Sequence, residues 1–343
     1  MRRFAALLAL ALLASCSRPL PPGVTELVYA SPYPPSHPFS RADRRWIDFV
    51  EKRSGGSLLI RPIWSGALLS SDMSMEEIRH GVADIGLITP IYSRGGTHLL
   101  RTQTGFYSGA DTIESQLALY HCMAGAVPEF AQELAGLKVL AVQGGVLPGI
   151  LTRNRRVEHL ADLKGLRIRA PTELLPILQA LGADPVDLPM GEVYSALAKG
   201  VIDGVVAPPD TLRSLHFAEV TRYFFELRIP RGAYPGRAMD LDAWNALDPS
   251  QRETLTEGIG VWEQALAEEN RAAAAAGEQA GRGVIVNSPA DPAEQARFEA
   301  LYLREAKQTA RSLEQYGIDG MNAYRVARES LVARNRVKCG GHP

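Results

Sequence analysis

Apolar and polar positions alternate most regularly between His159 and Asp210, and the pattern there predicts strand, helix, strand, helix, strand. Leu166-Arg167-Ile168-Arg169-Ala170 alternates apolar with charged residues, the period of a strand. Pro171 suits a first helical turn, where its missing N–H would be unpaired anyway. Leu174, Leu175, Leu178 and Leu181 follow at helical spacing, and Gly182 closes that helix. Residues 185–188 read as a short strand, 192–199 as a helix stopped by Gly200, and 201–207 as an apolar strand broken by Asp203-Gly204. Arg169 ends a strand just where a helix begins. Ligands of open α/β sheets bind beyond the carboxyl ends of strands, and a helix N-terminus there adds free N–H groups for an anion. A guanidinium supplies a two-pronged donor matched to a carboxylate. Arg167 lies on the same strand face, deeper in the element. Read locally, both arginines also fit an exposed strand that binds nothing.

The rest of the chain follows a related rhythm. Residues 24–30 form a first strand, and a loop stiffened by four prolines leads from Ser31 into a helix with Trp46, Ile47, Phe49 and Val50. A strand over 58–64, a short helix over 75–80 and a buried strand ending near Ile88 complete β-α-β-α-β, which implies a parallel sheet with right-handed crossovers. Residues 89–111 are loop-rich. Helices over 112–122 and 127–135 precede strands over 137–143 and 150–152, the latter at a crossing between lobes. Strands over 223–229 and 237–241 follow, and the second returns to the first lobe. A short helix over 243–247 precedes a long one from Ser250. About 28 residues at 1.5 Å each give that helix about 42 Å, more than one lobe's width. A short strand over 284–286 and helices over 291–315 and 321–333 remain, with a frayed tail.

Composition adds a class and a compartment. The chain has 343 residues, 46% hydrophobic and 22% charged, as in ordinary globular proteins of about two domains. A net charge of −1 gives no global field for nucleic acid or an anionic surface. Arg2-Arg3, an apolar run over 4–13 and Leu13-Ala14-Ser15-Cys16 read as an export signal, too short for a permanent membrane span. The stretch resembles a bacterial lipoprotein signal, in which Cys16 is lipidated; a plain secretory signal is the other reading. Residues 17–23 then read as a tether. An exported compartment permits a disulfide between Cys122 and Cys339, and a free buried Cys122 fits equally.

No metal-protease, paired-cysteine, nucleophile-elbow, phosphate-loop or EF-hand pattern occurs. The seven histidines are scattered, and adjacent carboxylates such as Glu76-Glu77 and Glu268-Glu269 read as solvated helix faces. The residues therefore give no sign of a cofactor or a metal site.

Four stretches resemble the extracytoplasmic solute-binding proteins of tripartite ATP-independent periplasmic (TRAP) transporters, of the C4-dicarboxylate-binding type. They are the helix end and turn over 49–56, the turn Ile78-Arg79-His80-Gly81-Val82-Ala83-Asp84-Ile85-Gly86, the strand Asp162-Leu163-Lys164-Gly165-Leu166-Arg167-Ile168-Arg169, and the block from Tyr194 to Gly204 with Tyr223 beyond. The resemblance implies an α/β, two-lobed periplasmic binding protein fold with hinge strands and a long lobe-spanning helix. It implies a lipid-anchored protein that hands a small organic acid to TRAP membrane permease subunits and contacts no nucleic acid. A signal over 1–15 and a tether over 16–23 would precede a first lobe of 24–146 plus 235–275. The second lobe would take 147–234 plus 276–335 with the C-terminal helices. Arg169 matches the family arginine that pairs with the ligand carboxylate. Two partners of that arginine depart from the pattern, since Ala207 stands at a usual asparagine and Gly149 at a usual second arginine. Tyr33, His37, Trp64, Tyr92 and Asp210, on loops or strand ends, are the candidates to replace them. A sensor lipoprotein of the same fold and an ABC-type binding protein are the competing readings.

Overall fold

The computed structural model describes residues 20–93 and 95–340. The signal segment, Cys16 and His342 lie outside the described residues. Eleven strands among the described residues build two sheets: β1 (Thr25–Ala30), β2 (Leu58–Ile63), β3 (Ile85–Leu87), β4 (Leu137–Gln143), β5 (Gly149–Thr152), β6 (Arg167–Arg169), β7 (Asp184–Val186), β8 (Gly204–Ala207), β9 (Tyr223–Glu226), β10 (Tyr234–Asp240) and β11 (Val286–Pro289). The first sheet runs β2-β1-β3-β10-β4 and the second β11-β9-β5-β8-β6-β7. In each sheet the strand that enters from the other lobe is antiparallel to its neighbours: β10 in the first and β5 in the second.

The conspicuous sequence motifs turn out to be devices that fasten strands. Gly81 takes a left-handed φ of +69°, and the Asp84 carboxylate then accepts the β1 backbone N–H of Val28 at 2.7 Å. Asp203 accepts the N–H of Arg167 at 2.8 Å, fixing β8 to β6. Asp162 accepts the N–H groups of Glu158 and His159, a capping box on the turn before β6. Each motif thus pairs backbone groups that the strands and turns leave without a partner.

Several of the described segments join the lobes, the helix Pro292–Ser312 described below among them. Residues 144–148 lead from β4 to β5, residues 227–233 lead from β9 to β10, and the helix Pro249–Gly281 spans both lobes. Its 33 residues exceed the sequence expectation, and at 1.5 Å each they extend about 50 Å. Asp248 caps its start by accepting from the N–H groups of Ser250 and Gln251, and Pro249 occupies the first turn. Trp262 stacks on Trp46 of the helix Pro38–Arg53 with ring centroids 3.8 Å apart, which anchors the long helix on the first lobe. At its other end a methyl on Gly277 would sit 2.7 Å from the carbonyl carbon of Pro209, so only glycine lets the helix touch the second lobe there.

Four details differ from the sequence reading. Pro171 begins a 3-10 turn, Thr172–Leu174, followed by a helix of only six residues, Leu175–Ala180. Arg167 is exposed and stands 3.6 Å from Asp184 on the neighbouring strand, so it is less deep than its place in the strand suggests. The sequence places the C-terminal helices with the second lobe, but their apolar contacts divide. Phe298 and Tyr302 of the helix Pro292–Ser312 pack with Ile168 and Leu178, whereas Ala306 and Ala310, with Ala323 and Val326 beyond, join the first-lobe core around Phe106 and Tyr107. The tail is not frayed up to residue 340, because a Cys122–Cys339 disulfide and a short hairpin hold it on the first lobe.

Candidate functional site

Arg169 ends β6, an interior strand, and is only 2% exposed. Its Nε donates to the carbonyl of Leu188 at 2.7 Å, which fixes the guanidinium beyond the sheet edge. One Nη donates to the hydroxyl of Tyr92 at 2.7 Å. Tyr92 belongs to the 3-10 turn Pro90–Tyr92 after β3, so this bond crosses from one lobe to the other. A buried cation would be costly without such partners. The guanidinium thus lines the space between the lobes, held by one bond from each.

Around it lies a cleft enclosing about 980 Å³ of empty space, open solvent at its mouth included. Four more of the candidates read from the sequence line it: Tyr33, His37, Tyr92 and Asp210. Trp64 does not. It packs edge-on against Tyr29, centroids 5.5 Å apart, with Arg44 over its ring, because the chain turns at Ser65-Gly66 and carries the indole toward the first-lobe core. His37 stacks on Tyr33 at 4.0 Å and caps the helix Pro38–Arg53, its Nδ1 accepting from Phe39 N at 3.2 Å. Burial, then the charges of Arg237 and Arg41, push its pKa down to about 3, so the ring is neutral in the cleft.

Two carboxyl groups share the cleft. Burial pushes Glu173 up to about 7 against the lowering field of Arg169, and its Oε2 is buried with no hydrogen-bond partner. Burial likewise pushes Asp210 up to about 6, opposed by Arg231 and by a hydrogen bond from Ser214. Burial is also the first cause that raises the phenols of Tyr33 and Tyr234, which stay protonated as donors.

Sequence reasoning missed Arg231, Glu173, Tyr234 and Asn270, all of which line the cleft. The signal for Arg231 was present in Ile229-Pro230-Arg231-Gly232, a Pro/Gly loop beyond a strand's carboxyl end. The absent helpers are explained jointly. Gly149 and Ala207 are direct cross-strand partners on β5 and β8, and neither lines the cleft. A methyl on Gly149 would stand 2.6 Å from the ring of Phe224, so the place of a side chain is already filled. Among the described residues no three metal-ligating side chains cluster, and no helix is long and apolar enough to cross a membrane.

Comparison with known proteins places this geometry. A solute-binding protein of Rhodoferax ferrireducens, solved with copurified benzoate, is 26% identical, covers 89% of this chain and 97% of its own, and superposes with a TM-score of 0.77. A C4-dicarboxylate-binding protein of Bacillus subtilis is 27% identical over 68% of this chain and 67% of its own length. A monocarboxylate 2-oxoacid-binding periplasmic protein of Nostoc is 24% identical over 60% of this chain. The chain spans about half the length of this last relative and of two uncharacterised ones, at 57%, 42% and 54%. The family model for bacterial extracellular solute-binding proteins, family 7, matches residues 29–311. With two sheets, two crossing segments, a long spanning helix and a buried arginine in the cleft between them, the chain belongs to the family 7 extracellular solute-binding proteins of the TRAP type.

Proposed function

We propose that the protein captures a small organic acid outside the cytoplasmic membrane and delivers it to the membrane permease subunits of a TRAP-type transporter, itself tethered through a lipidated Cys16. The observation that supports this reading is Arg169, a buried cation whose remaining N–H groups face a cleft lined by rings and protonated phenols. Such a group needs an anion opposite it to offset its desolvation. A carboxylate is the chemistry shared by the names of the relatives above: benzoate, a C4-dicarboxylate, a 2-oxoacid. Lobe closure then encloses the ion pair, and Tyr92 joins Arg169 from the opposite lobe to stabilise the closed form.

The test is titration calorimetry with carboxylic acids on the wild type and on Arg169→Ala. Truncating one partner of a buried charged pair costs about 2–5 kcal/mol, or roughly thirtyfold and more in affinity. Equal affinities in the two proteins would overturn the role given to Arg169.

A further inference from the structure

The cleft has a second polar end, built at the crossing segments. Arg231 stands on the segment between β9 and β10, and its guanidinium lies against Gly145 on the segment between β4 and β5. A methyl on Gly145 would come within 2.7 Å of Arg231 Nε. Among the described residues the one hydrogen bond of Arg231 runs from Nη1 to Val146 O, a long 3.4 Å, and no ion pair neutralises it. Asp210 lines the same cleft on the loop after β8 and accepts from Ser214 Oγ at 3.0 Å. The two side chains feel each other's charge, yet they do not approach within the 4.0 Å of an ion pair. A donor and an acceptor of opposite charge are thus held apart in a ligand cleft, with both able to reach a third group.

Charge decides what that third group is. Two guanidiniums, of Arg169 and Arg231, share the cleft with the carboxyl groups of Asp210 and Glu173, which burial pushes up to about 6 and about 7. His37 is neutral and the phenols are protonated. A ligand carboxylate pairs with Arg169, as proposed above. A second carboxylate at the other end would sit beside Asp210 as a like charge. A hydroxyl accepts from a guanidinium and donates to a carboxylate at once, which neither a carboxylate nor a methyl can do.

We propose that Arg231 and Asp210 form a hydroxyl-reading end of the cleft, so that the preferred ligand is a small monocarboxylic acid bearing a hydroxyl group; this rests on the assignment of the carboxylate to Arg169. Arg231 acts as a specificity residue, and Gly145 positions it by leaving room for the guanidinium.

The test is calorimetry with monocarboxylic acids, aliphatic and aromatic. Each is paired with analogues hydroxylated at each carbon in turn and with the matching dicarboxylate. Wild type is expected to prefer a hydroxy acid over its parent by tenfold or more. In Arg231→Leu that preference should shrink to within threefold, because the hydroxy acid loses more affinity than its parent acid does. Gly145→Ala, which pushes the guanidinium aside without removing it, should give an intermediate loss and serves if the leucine variant does not fold. A wild type that binds a dicarboxylate most tightly, or variants that weaken parent and hydroxy acids equally, would overturn the proposal while leaving Arg169 in its role. A wild type that binds no acid in the series would overturn the carboxylate reading itself, and this one with it.

Discussion

Glu173 shows how one side chain can couple capture to pH. Its carboxyl is pushed up to about 7 by burial, and the field of Arg169 works in the opposite direction. Asp187 adds a raising charge, and the carboxyl in turn raises the phenol of Tyr302, for which burial is the larger cause. On the role proposed for Arg169, a ligand carboxylate arriving there would absorb part of the guanidinium's field and raise Glu173 further. The complex therefore takes up a proton, and affinity for an anion falls as pH rises through about 7. Calorimetry between pH 6.5 and 8, in buffers of different ionisation enthalpy, should show this uptake in the wild type. Glu173→Gln, which cannot titrate, should bind with nearly constant affinity across that range. A pH slope that survives in the glutamine variant would assign the proton elsewhere. Arg169 was legible in the sequence because a strand pattern ends on it and a family motif surrounds it. Glu173 was not, since a lone glutamate after Pro171 resembles any first-turn carboxylate until burial is known.

Among the elements, the long helix Pro249–Gly281 was legible in the sequence, though it runs longer than expected. Its cap, its proline and its alanine-rich end are local signals. What it touches is not local. Gly258 faces Trp46 on the first lobe, where a methyl would stand 2.8 Å from the indole nitrogen, and Gly277 faces Pro209 on the second. Asp43 gives the same lesson in the core. One carboxylate accepts from Tyr29 on β1, from Arg237 Nε on β10 at 2.8 Å and from Trp262 on the long helix at 2.9 Å. It thereby fixes three elements to the helix Pro38–Arg53. Gly277→Ala separates propensity from packing. Alanine favours a helix interior by about 1 kcal/mol over glycine. Overpacking costs about 1–3 kcal/mol, and here the obstacle is the Pro209 backbone, which no rotamer change relieves. The variant is expected to lose stability, by up to about 2 kcal/mol in denaturant unfolding. It should also lose ligand affinity, because Pro208 and Asp210 in the cleft belong to the displaced loop. A stabilised variant would mean that the helix and loop separate freely.

For the whole molecule, the disulfide is the long-range tie that the sequence left open. Cys122 and Cys339 are 217 residues apart, and the bond holds the C-terminal hairpin to the helix Ile113–Ala126. Asn335 adds to the tie, its Oδ1 accepting from the backbone N–H of Asp111 at 2.6 Å and of Thr112 at 3.2 Å. Closing a loop of that length restricts the unfolded chain, so the bond contributes about 2–4 kcal/mol. Cys122→Ser with Cys339→Ser should unfold at correspondingly lower denaturant while binding the same ligand with unchanged affinity, since neither residue lines the cleft. Unchanged stability in the double variant, read by chemical denaturation, would remove that role.

The sequence by itself determined the order of strands and helices, the two-lobed class, the long helix and the place of Arg169. The elements rest on periodicity, caps and turn residues, which act over a few neighbours, whereas the two-lobed class and the choice of Arg169 rest on the family resemblance. It also placed Tyr33, His37, Tyr92 and Asp210 on segments that do meet in the cleft. Only the tertiary structure decided that Trp64 turns inward to Tyr29, that Phe224 fills the place left by Gly149, and that the C-terminal helices serve both cores. It alone brought Arg231 from the second crossing segment to Gly145 on the first. The reason is physical. A site in a cleft between lobes is assembled from residues far apart in the chain, and its burial and charge balance exist only once those residues have met.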